Sequence, residues 1–275
     1  MFLLTGISGY IGSHYLSYLT SIGQKVVSLS GTEFYNMGRE DEEDFVTSVV
    51  GKQFLVAKQC IFINAGWKDV KRQHCEQIDY EFIEKQIRLH KILMKIGVEK
   101  FVNIGTCYEY GRKFGGVTPN CHANPITSYA IEKFILYRRL TELFNQNTNA
   151  QLMWMRAFYV YGGLKQNNNI FDAIKQSARR NETKFHMTKA DQLLDFIHIE
   201  DLVKSSINLL SESNIHGLIN ASSGRAKRLR TVIEKFIYDN ELNLKIEYGA
   251  LPYREHESMA LWGEKPFELF EHKVE

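Results

Sequence analysis

No excess of either charge, no long apolar run, no tight cysteine pairing and no internal repeat mark this chain, and each absence closes a class. Basic residues number 34 against 32 acidic ones, a net charge of +2, which leaves no electrostatic surplus for phosphate backbones or anionic membranes. Nucleic acid and membrane surfaces are therefore not expected partners. Nothing approaches the roughly 18 uninterrupted apolar residues of a membrane-spanning helix. The four cysteines, Cys60, Cys75, Cys107 and Cys121, show neither close pairing nor zinc-ligand spacing, Cys121-His122 included, so neither disulfides nor a metal site is expected. The N-terminus lacks the basic, apolar, small-residue order of a secretion signal, and the expected location is the reducing cytoplasm. What remains is ordinary: 44% apolar and 24% charged residues rule out disorder, collagen and coiled coil. A chain of 275 residues can bury about three quarters of its unfolded surface without metal or disulfide support. It is long enough for one elaborated domain or a main domain with a lobe.

Apolar strands alternate with longer amphipathic stretches through the first half, the pattern of helices packed on both faces of a parallel sheet. Strands are expected at Phe2–Thr5, Lys25–Ser30, Cys60–Asn64, Phe101–Ile104 and Leu152–Ala157. Helical spacing covers Tyr10–Ile22, ended by Gly23, and then Asp79–Ile96 and Tyr129–Phe144. After Gly162-Gly163 the rhythm loosens. Helices at Ile170–Arg180, Asp201–Leu210 and Leu229–Tyr238 and a strand at Phe196–Ile199 describe a smaller mixed lobe. The reading is α/β: a doubly wound parallel sheet over 1–161, with 195–222 returning to it, and a C-terminal lobe over 162–275. The acidic run Glu40–Asp44 reads as solvated surface, and Trp154, Met155 and His198 read as packed core.

Gly6-Ile7-Ser8-Gly9-Tyr10-Ile11-Gly12 lies between the first strand and the first helix. There, backbone N–H groups and a helix N-terminus hold a pyrophosphate, and the three glycines permit the tight turn, the close approach and the helix packing. A glycine triplet alone is weak evidence, but the flanking strand and helix supply its context. Tyr129 and Lys133 form a Tyr-x-x-x-Lys pair at the start of a helical pattern. With 14 tyrosines and 21 lysines, about one such spacing arises by accident. A second copy, Tyr161 to Lys165, is indeed present, but Gly162 and Gly163 argue against a helix there. Only the first copy puts a phenol beside an ammonium, whose positive charge is expected to bring the phenol below its usual value of about 10. Thr106 follows the Phe101–Ile104 strand at its carboxyl end, where open α/β sheets place their sites. The plain alternative is a loop threonine satisfying local backbone.

Together these residues resemble the extended short-chain dehydrogenase/reductase family, in its branch of nucleotide-sugar epimerases, dehydratases and reductases. The resemblance extends through Asn64-Ala65-Gly66, Gly105-Thr106-Cys107-Tyr108-Glu109-Tyr110-Gly111, Arg156-Ala157-Phe158-Tyr159-Val160-Tyr161-Gly162, Asp195-Phe196-Ile197-His198-Ile199-Glu200-Asp201 and Leu251-Pro252-Tyr253-Arg254. It implies a Rossmann cofactor domain, a lobe that takes the nucleotide diphosphate of a sugar, and hydride exchange with a sugar carbon. It assigns catalysis to Tyr129, Lys133 and Thr106. Cofactor contacts go to Gly6, Ser8, Gly9, Tyr10, Ile11 and Gly12, to Ser30, Gly31 and Thr32 after the second strand, to Asn64, Ala65 and Gly66, and to Lys133 again. Substrate contacts go to Cys107, Tyr108 and Tyr159, and to Arg254 with Arg225 as the weaker candidate; for both arginines a solvated surface residue is the alternative.

Departures from the family pattern narrow this. Cys107 and Tyr108 stand where 4,6-dehydratases carry an Asp-Glu pair, which disfavours dehydration. The Gly-Thr-Cys-x-Glu-Tyr-Gly wording is similar to enzymes that reduce nucleotide 4-keto-6-deoxy sugars. Ser30 stands where NAD-preferring relatives place an acid, which favours NADP(H) over NAD(H). Leu194 replaces an arginine and Tyr159 an asparagine of many relatives, so phosphate neutralisation must come from elsewhere. The competing readings are an NAD-dependent 4-epimerase with the same three residues and a non-catalytic dinucleotide sensor. A homodimer through the Asp79–Ile96 and Tyr129–Phe144 helices is the family expectation.

Overall fold

The computed structural model describes residues 1–54, 60–68, 77–146, 149–163, 169–211 and 216–264. Cys75 and Lys165, which closes the second Tyr-x-x-x-Lys copy, lie outside the described residues. In chain order the strands are β1 (Phe2–Thr5), β2 (Val26–Ser28), β3 (Ile61–Asn64), β4 (Lys100–Thr106), β5 (Phe114–Val117), β6 (Gln151–Ala157), β7 (Tyr159–Tyr161), β8 (Lys184–Met187), β9 (Leu193–His198), β10 (Gly217–Ala221), β11 (Ala226–Arg228), β12 (Lys245–Tyr248) and β13 (Ala260–Gly263). The helices are α1 (Tyr10–Ser21), α2 (Gly31–Asn36), α3 (Glu42–Phe54), α4 (Tyr80–Lys95), α5 (Ser128–Asn145), α6 (Ile170–Arg179), α7 (Ile199–Ser211) and α8 (Leu229–Asp239), with a 3₁₀ turn at Cys107–Tyr110.

One compact unit comprises Met1–Glu109, Pro125–Arg156 and Leu209–Ile219. Its six-stranded sheet runs β10-β6-β4-β3-β1-β2, and the pairs β2-β1, β1-β3 and β3-β4 are parallel. Strand order reverses on either side of β1, so a crevice opens beyond the carboxyl ends of β1 and β3. Helix α1 begins there, and it ends where Gly23, with φ +73°, lets Gln24 N–H reach back to Leu19 O. Leu3, Phe62, Phe101 and Trp154 are fully enclosed in a core closed by Ile83, Ile87 and Leu89 of α4 and by Leu136 and Leu140 of α5. Trp154 in this core and its neighbour Met155 are both fully buried, as expected.

Through the sheet runs a row of buried polar side chains. Thr5, Asn64 and Asn103 are register partners on β1, β3 and β4. Thr5 Oγ1 donates to Asn64 Oδ1 at 2.8 Å, and Asn64 Nδ2 donates to Asn103 Oδ1 at 2.9 Å and Gln86 Oε1 at 2.8 Å. Asn103 Nδ2 lies 3.0 Å from His90 Nε2. Gln86 and His90 stand four residues apart on one face of α4. Burial holds the His90 imidazole down to about 4, so it is neutral.

The acidic run is solvated surface as expected at Glu40, Asp41, Glu43 and Asp44 and departs from it at Glu42. Glu42, Glu43 and Asp44 occupy the first turn of α3, where carboxylates complement the helix dipole. Glu42 itself is 2% exposed and accepts both Nε and Nη2 of Arg88, each at 2.7 Å. The partner lies 46 residues away on α4, so the local charge pattern gives no sign of it.

The second unit comprises Tyr110–Asn124, Ala157–Asn208 and Asn220–Glu275; the later segment grouped with the first unit is thus Leu209–Ile219, within the 195–222 span expected to return. A five-stranded sheet follows the order β11-β9-β13-β5, with β7 also on β9, and β12 pairs with β8 separately. Phe171, Ile174, Val232, Ile233 and Phe236 form its core. Buried Asp195 on β9 accepts the N–H groups of Ser223 (2.7 Å), Gly224 (2.9 Å) and Gly263 (3.2 Å), joining three segments. His198 is packed at 4% exposure, and a Cβ on Gly162 would meet its Nε2 at 2.1 Å. Among the described residues, no helix is long and apolar enough to cross a membrane and no cluster of His, Cys, Asp or Glu is placed to hold a metal.

Candidate active site

The glycine loop is built by exclusion of side chains. Gly6 takes φ +74°, and a Cβ there would lie 2.5 Å from Gly66 N and 2.6 Å from the Ala65 carbonyl. A Cβ on Gly12 would lie 2.1 Å from Gly6 O. These two glycines let the β1–α1 turn close on itself and on the Asn64-Ala65-Gly66 segment at the switch point. Gly9 differs: its φ is −80°, and its nearest neighbour would be Gly6 O at 3.1 Å. Ser8 and Gly9 are exposed, Tyr10 and Ile11 half-buried. As the N-cap of α1, Gly9 offers no side chain to the helix, and the first turn carries no acid. An exposed, positive helix end bordered by glycine fits the pyrophosphate of a dinucleotide. Ser30, Gly31 and Thr32 follow β2, where Ser30 caps α2 by accepting Glu33 N–H at 3.3 Å.

Thr127 caps α5, accepting Ala130 N–H at 3.3 Å, and this sets Tyr129 and Lys133 on its first two turns. Lys133 is 5% exposed; its Nζ donates to Ile104 O at 2.7 Å and sits 3.9 Å from the centroid of the Trp67 ring. That bond ties α5 to β4 two residues before Thr106. Trp67 also meets the Tyr129 ring edge-on, at 6.2 Å between centroids. Thr106 closes β4, 7% exposed, with Oγ1 accepting Tyr108 N–H at 3.3 Å. Cys107 is buried and Tyr108 half-buried on the 3₁₀ turn that follows.

The electrostatics of this cluster reverse the expectation of an acidified phenol. Burial pushes the Tyr129 phenol above its ordinary value, and the negative charge of Glu109 adds to the shift. Burial also brings the Lys133 ammonium down to about 7, against the opposing pull of Glu109 and Glu132. The sequence shows the ammonium beside the phenol but not the low-polarity surroundings that both share. At neutral pH Tyr129 is a protonated donor and Lys133 is divided between its two forms.

Glu109 had no expected role beyond membership of a motif. It is fully buried; Oε1 accepts Thr106 N–H at 2.9 Å and Trp154 Nε1–H at 3.0 Å, and Oε2 accepts Arg156 Nε–H at 2.8 Å. Arg156 was the available signal, a lone cation inside an apolar strand that demands a buried acid. Trp67 was missed too, although an aromatic directly after Asn-Ala-Gly stood in plain view.

The remaining candidates lie in the second unit. Tyr159, on β7, is half-buried with its ring 5.9 Å from that of Phe196. Arg225 and Arg254 are exposed, and Glu257 accepts the Arg254 backbone N–H at 3.3 Å. Leu194 is buried in β9.

Comparison with known proteins follows the same lines. A dTDP-6-deoxy-L-talose 4-dehydrogenase (NAD(+)) from Aggregatibacter actinomycetemcomitans is 28% identical over 96% of this chain and 99% of its own length. An ADP-L-glycero-D-manno-heptose-6-epimerase from Brachyspira hyodysenteriae is 25% identical over 92% of this chain and 85% of its own. The fold matches that of a UDP-glucose-4-epimerase from Stenotrophomonas maltophila with bound NAD and formylated UDP-arabinopyranose, with a TM-score of 0.79 and 17% identity over 96% of this chain and 89% of that one. RMD from Pseudomonas aeruginosa, complexed with NADPH, gives a TM-score of 0.75 and 18% identity over 96% and 90%. Residues 2–221 match the NAD dependent epimerase/dehydratase family, a span that takes in the glycine turn, the β4 terminus and the Tyr129–Lys133 helix: the chain belongs to that family.

Proposed function

We propose that the protein reduces the C4 keto group of a nucleotide-diphosphate 4-keto-6-deoxy sugar, with NADP(H) as the preferred cofactor. What carries the reading is the placement of Tyr129 and Lys133 on α5, with Lys133 bound to Ile104 O two residues before Thr106, in a cluster whose buried carboxylate is already engaged; burial shifts the Tyr129 phenol further toward its proton-donating form. Reduction needs a proton donor, whereas the oxidation that opens an epimerase cycle needs a proton acceptor. Glu109, the carboxylate beside Thr106, is held by three donors, and Cys107-Tyr108 cannot replace the acid and base that remove water. The bound nicotinamide cofactor would supply the hydride. Tyr129 delivers the proton to the carbonyl oxygen, Thr106 Oγ1 donates a hydrogen bond to that oxygen, and Lys133, fixed by Ile104 O, restores the phenol's proton. The glycine loop holds the pyrophosphate, and Arg254 or Arg225 neutralises the sugar diphosphate.

The name of the talose 4-dehydrogenase relative supports C4 of a 6-deoxy sugar as the reacting centre. That name couples its reaction to NAD(+), whereas Ser30 places no carboxylate against a ribose 2′-phosphate. The test mixes purified protein with nucleotide 4-keto-6-deoxy sugars and NADPH or NADH. Cofactor oxidation matching product is expected, faster with NADPH. A changed sugar without net oxidation establishes the epimerase, and no turnover of any sugar overturns the reading. Tyr129→Phe is expected to lower turnover by about 100-fold or more; unchanged biological output in that variant would favour the sensor.

A further inference from the structure

The reductase reading uses Thr106, Tyr129 and Lys133 but leaves unexplained why a fully buried carboxylate lies beside them. A buried ion pair is weak evidence for stability, since well-packed apolar residues of similar volume often replace one without loss. Glu109 and Arg156 are 0% and 1% exposed, and the surrounding chain is shaped around them. Gly105 is bare because a Cβ there would lie 2.2 Å from Trp154 Nε1 and 2.6 Å from Glu109 Oε1. Trp154 divides its N–H between the two carboxylate oxygens, at 3.0 and 3.2 Å. The Arg156 guanidinium lies 5.7 Å from the Tyr137 ring centroid. One carboxylate thus gathers β4, β6 and the 3₁₀ turn, and its shortest link to the site is the backbone N–H of Thr106 itself.

We propose that Glu109 is a positioning residue for the proton-transfer cluster: its carboxylate fixes the Thr106 backbone at the end of β4 and sets a buried negative charge beside Tyr129 and Lys133. This rests on the reductase reading for its catalytic consequence, but not for its electrostatic one. The charged and titratable groups around the pair are Glu109, Cys107 and Tyr108 from the 3₁₀ turn, Glu132 from α5 and, behind Glu109, Arg156 from β6. Glu109 is the foremost protein charge acting on each member of the pair, and it raises both. The neutral phenol and the charged ammonium that this charge favours are the donor states that carbonyl reduction consumes.

The test uses Glu109→Gln, which retains an oxygen acceptor for Thr106 N–H while removing the charge. Glu109→Gln/Arg156→Met serves as the second variant because it leaves no unpaired buried cation. In the full-length protein the Lys133 side chain is followed by NMR over pH, its signal assigned by its loss in Lys133→Met. In the unaltered protein the midpoint is expected near 7. In the folded variants it moves to lower pH, by about one pH unit. The alkaline limb of kcat/KM for keto-sugar reduction moves the same way, because Tyr129 and Lys133 both lose their protons earlier. A midpoint that stays in place in both variants overturns the inference, even where melting temperature falls, since a purely structural carboxylate would lower stability alone. If Lys133 shifts but no keto sugar is reduced, the role of Glu109 stands and the reductase reading fails. Reduction with an unmoved Lys133 leaves the reductase reading standing and removes the role of Glu109.

Discussion

The three glycines of the β1–α1 turn make different demands, and alanine at each separates folding from ligand binding. At Gly6 a methyl group combines a left-handed backbone with contacts of 2.5 and 2.6 Å to backbone atoms of Gly66 and Ala65. The conformation costs about 1 to 2 kcal/mol and the overpacking about 1 to 3 more, so Gly6→Ala should lose about 2 to 5 kcal/mol. At Gly12 the 2.1 Å approach to Gly6 O is offset by the better helix propensity of alanine, about 1 kcal/mol. A net loss of about 0 to 2 kcal/mol is expected there. Gly9 needs no unusual backbone, and a Cβ there would meet only Gly6 O, at 3.1 Å, a tight contact relieved by a shift of a few tenths of an ångström. Its weaker capping and lower unfolded-state entropy as alanine nearly cancel, which leaves the tight contact to lower stability by about 1 kcal/mol at most. At about 3 °C per kcal/mol for a chain of this size, Gly6→Ala melts about 6 to 15 °C lower and Gly9→Ala at most about 3 °C lower. Binding reverses the order of interest. Exposed Gly9 is the N-cap of α1, where a pyrophosphate must approach, so folded Gly9→Ala should bind NADPH at least about tenfold more weakly, or about 1.4 kcal/mol. Thermal unfolding with fluorescence titration of NADPH measures both. Undiminished NADPH binding by Gly9→Ala, or an unchanged melting temperature for Gly6→Ala, would refute the reasoning.

Lys133→Met should be stabilising relative to the unaltered protein below pH 7. The folded-state value near 7 lies under the unfolded 10.5, so burial of the charge costs stability that returns as pH rises between them. The difference between the two proteins should shrink by about 4 to 5 kcal/mol across that interval in denaturant titrations; a constant difference would contradict it. His90 has the same sign at lower pH: with about 4 folded against 6.5 unfolded, it removes about 3 kcal/mol as pH falls from 6.5 to 4. His90→Gln should flatten that part of the acid-stability curve, and an unaltered slope would show that other groups set it. Glu42→Ala strands Arg88 and should cost about 2 to 3 kcal/mol in urea unfolding, whereas Glu40→Ala should stay within about 0.5 kcal/mol. Equal effects would mean that the Glu42–Arg88 pair contributes nothing.

Elements whose burial is decided locally were legible. The apolar run of β1 and the helical spacing of α4 and α5 announced themselves, and Gly23 marked the end of α1. What escaped depends on partners distant in sequence. Helix α3 opens with three acids, so its start reads as surface until Arg88 is brought against Glu42. The segment Tyr110–Asn124, within the first half of the chain, groups with the second unit because β5 pairs with β13, Phe114 against Ala260. At the site, the identities and spacing of Tyr129 and Lys133 were readable, but the sign of the Tyr129 shift was not. Spacing reports which charges are near; only packing reports how little water surrounds them.

The row Thr5, Asn64, Asn103 has one more consequence. Apolar side chains at these positions would tolerate a two-residue slip between neighbouring parallel strands, because such a slip returns every side chain to the same face. The amides do not. Thr5 donates to Asn64 and Asn64 to Asn103 across neighbouring strands, while Asn103 is paired with His90 on α4, and sliding by two would abandon several enclosed donors and acceptors at once, each at a cost of about 1 to 3 kcal/mol. The row therefore works as a proofreading device for strand alignment, rejecting during folding the misaligned sheets that greasy contacts alone would accept.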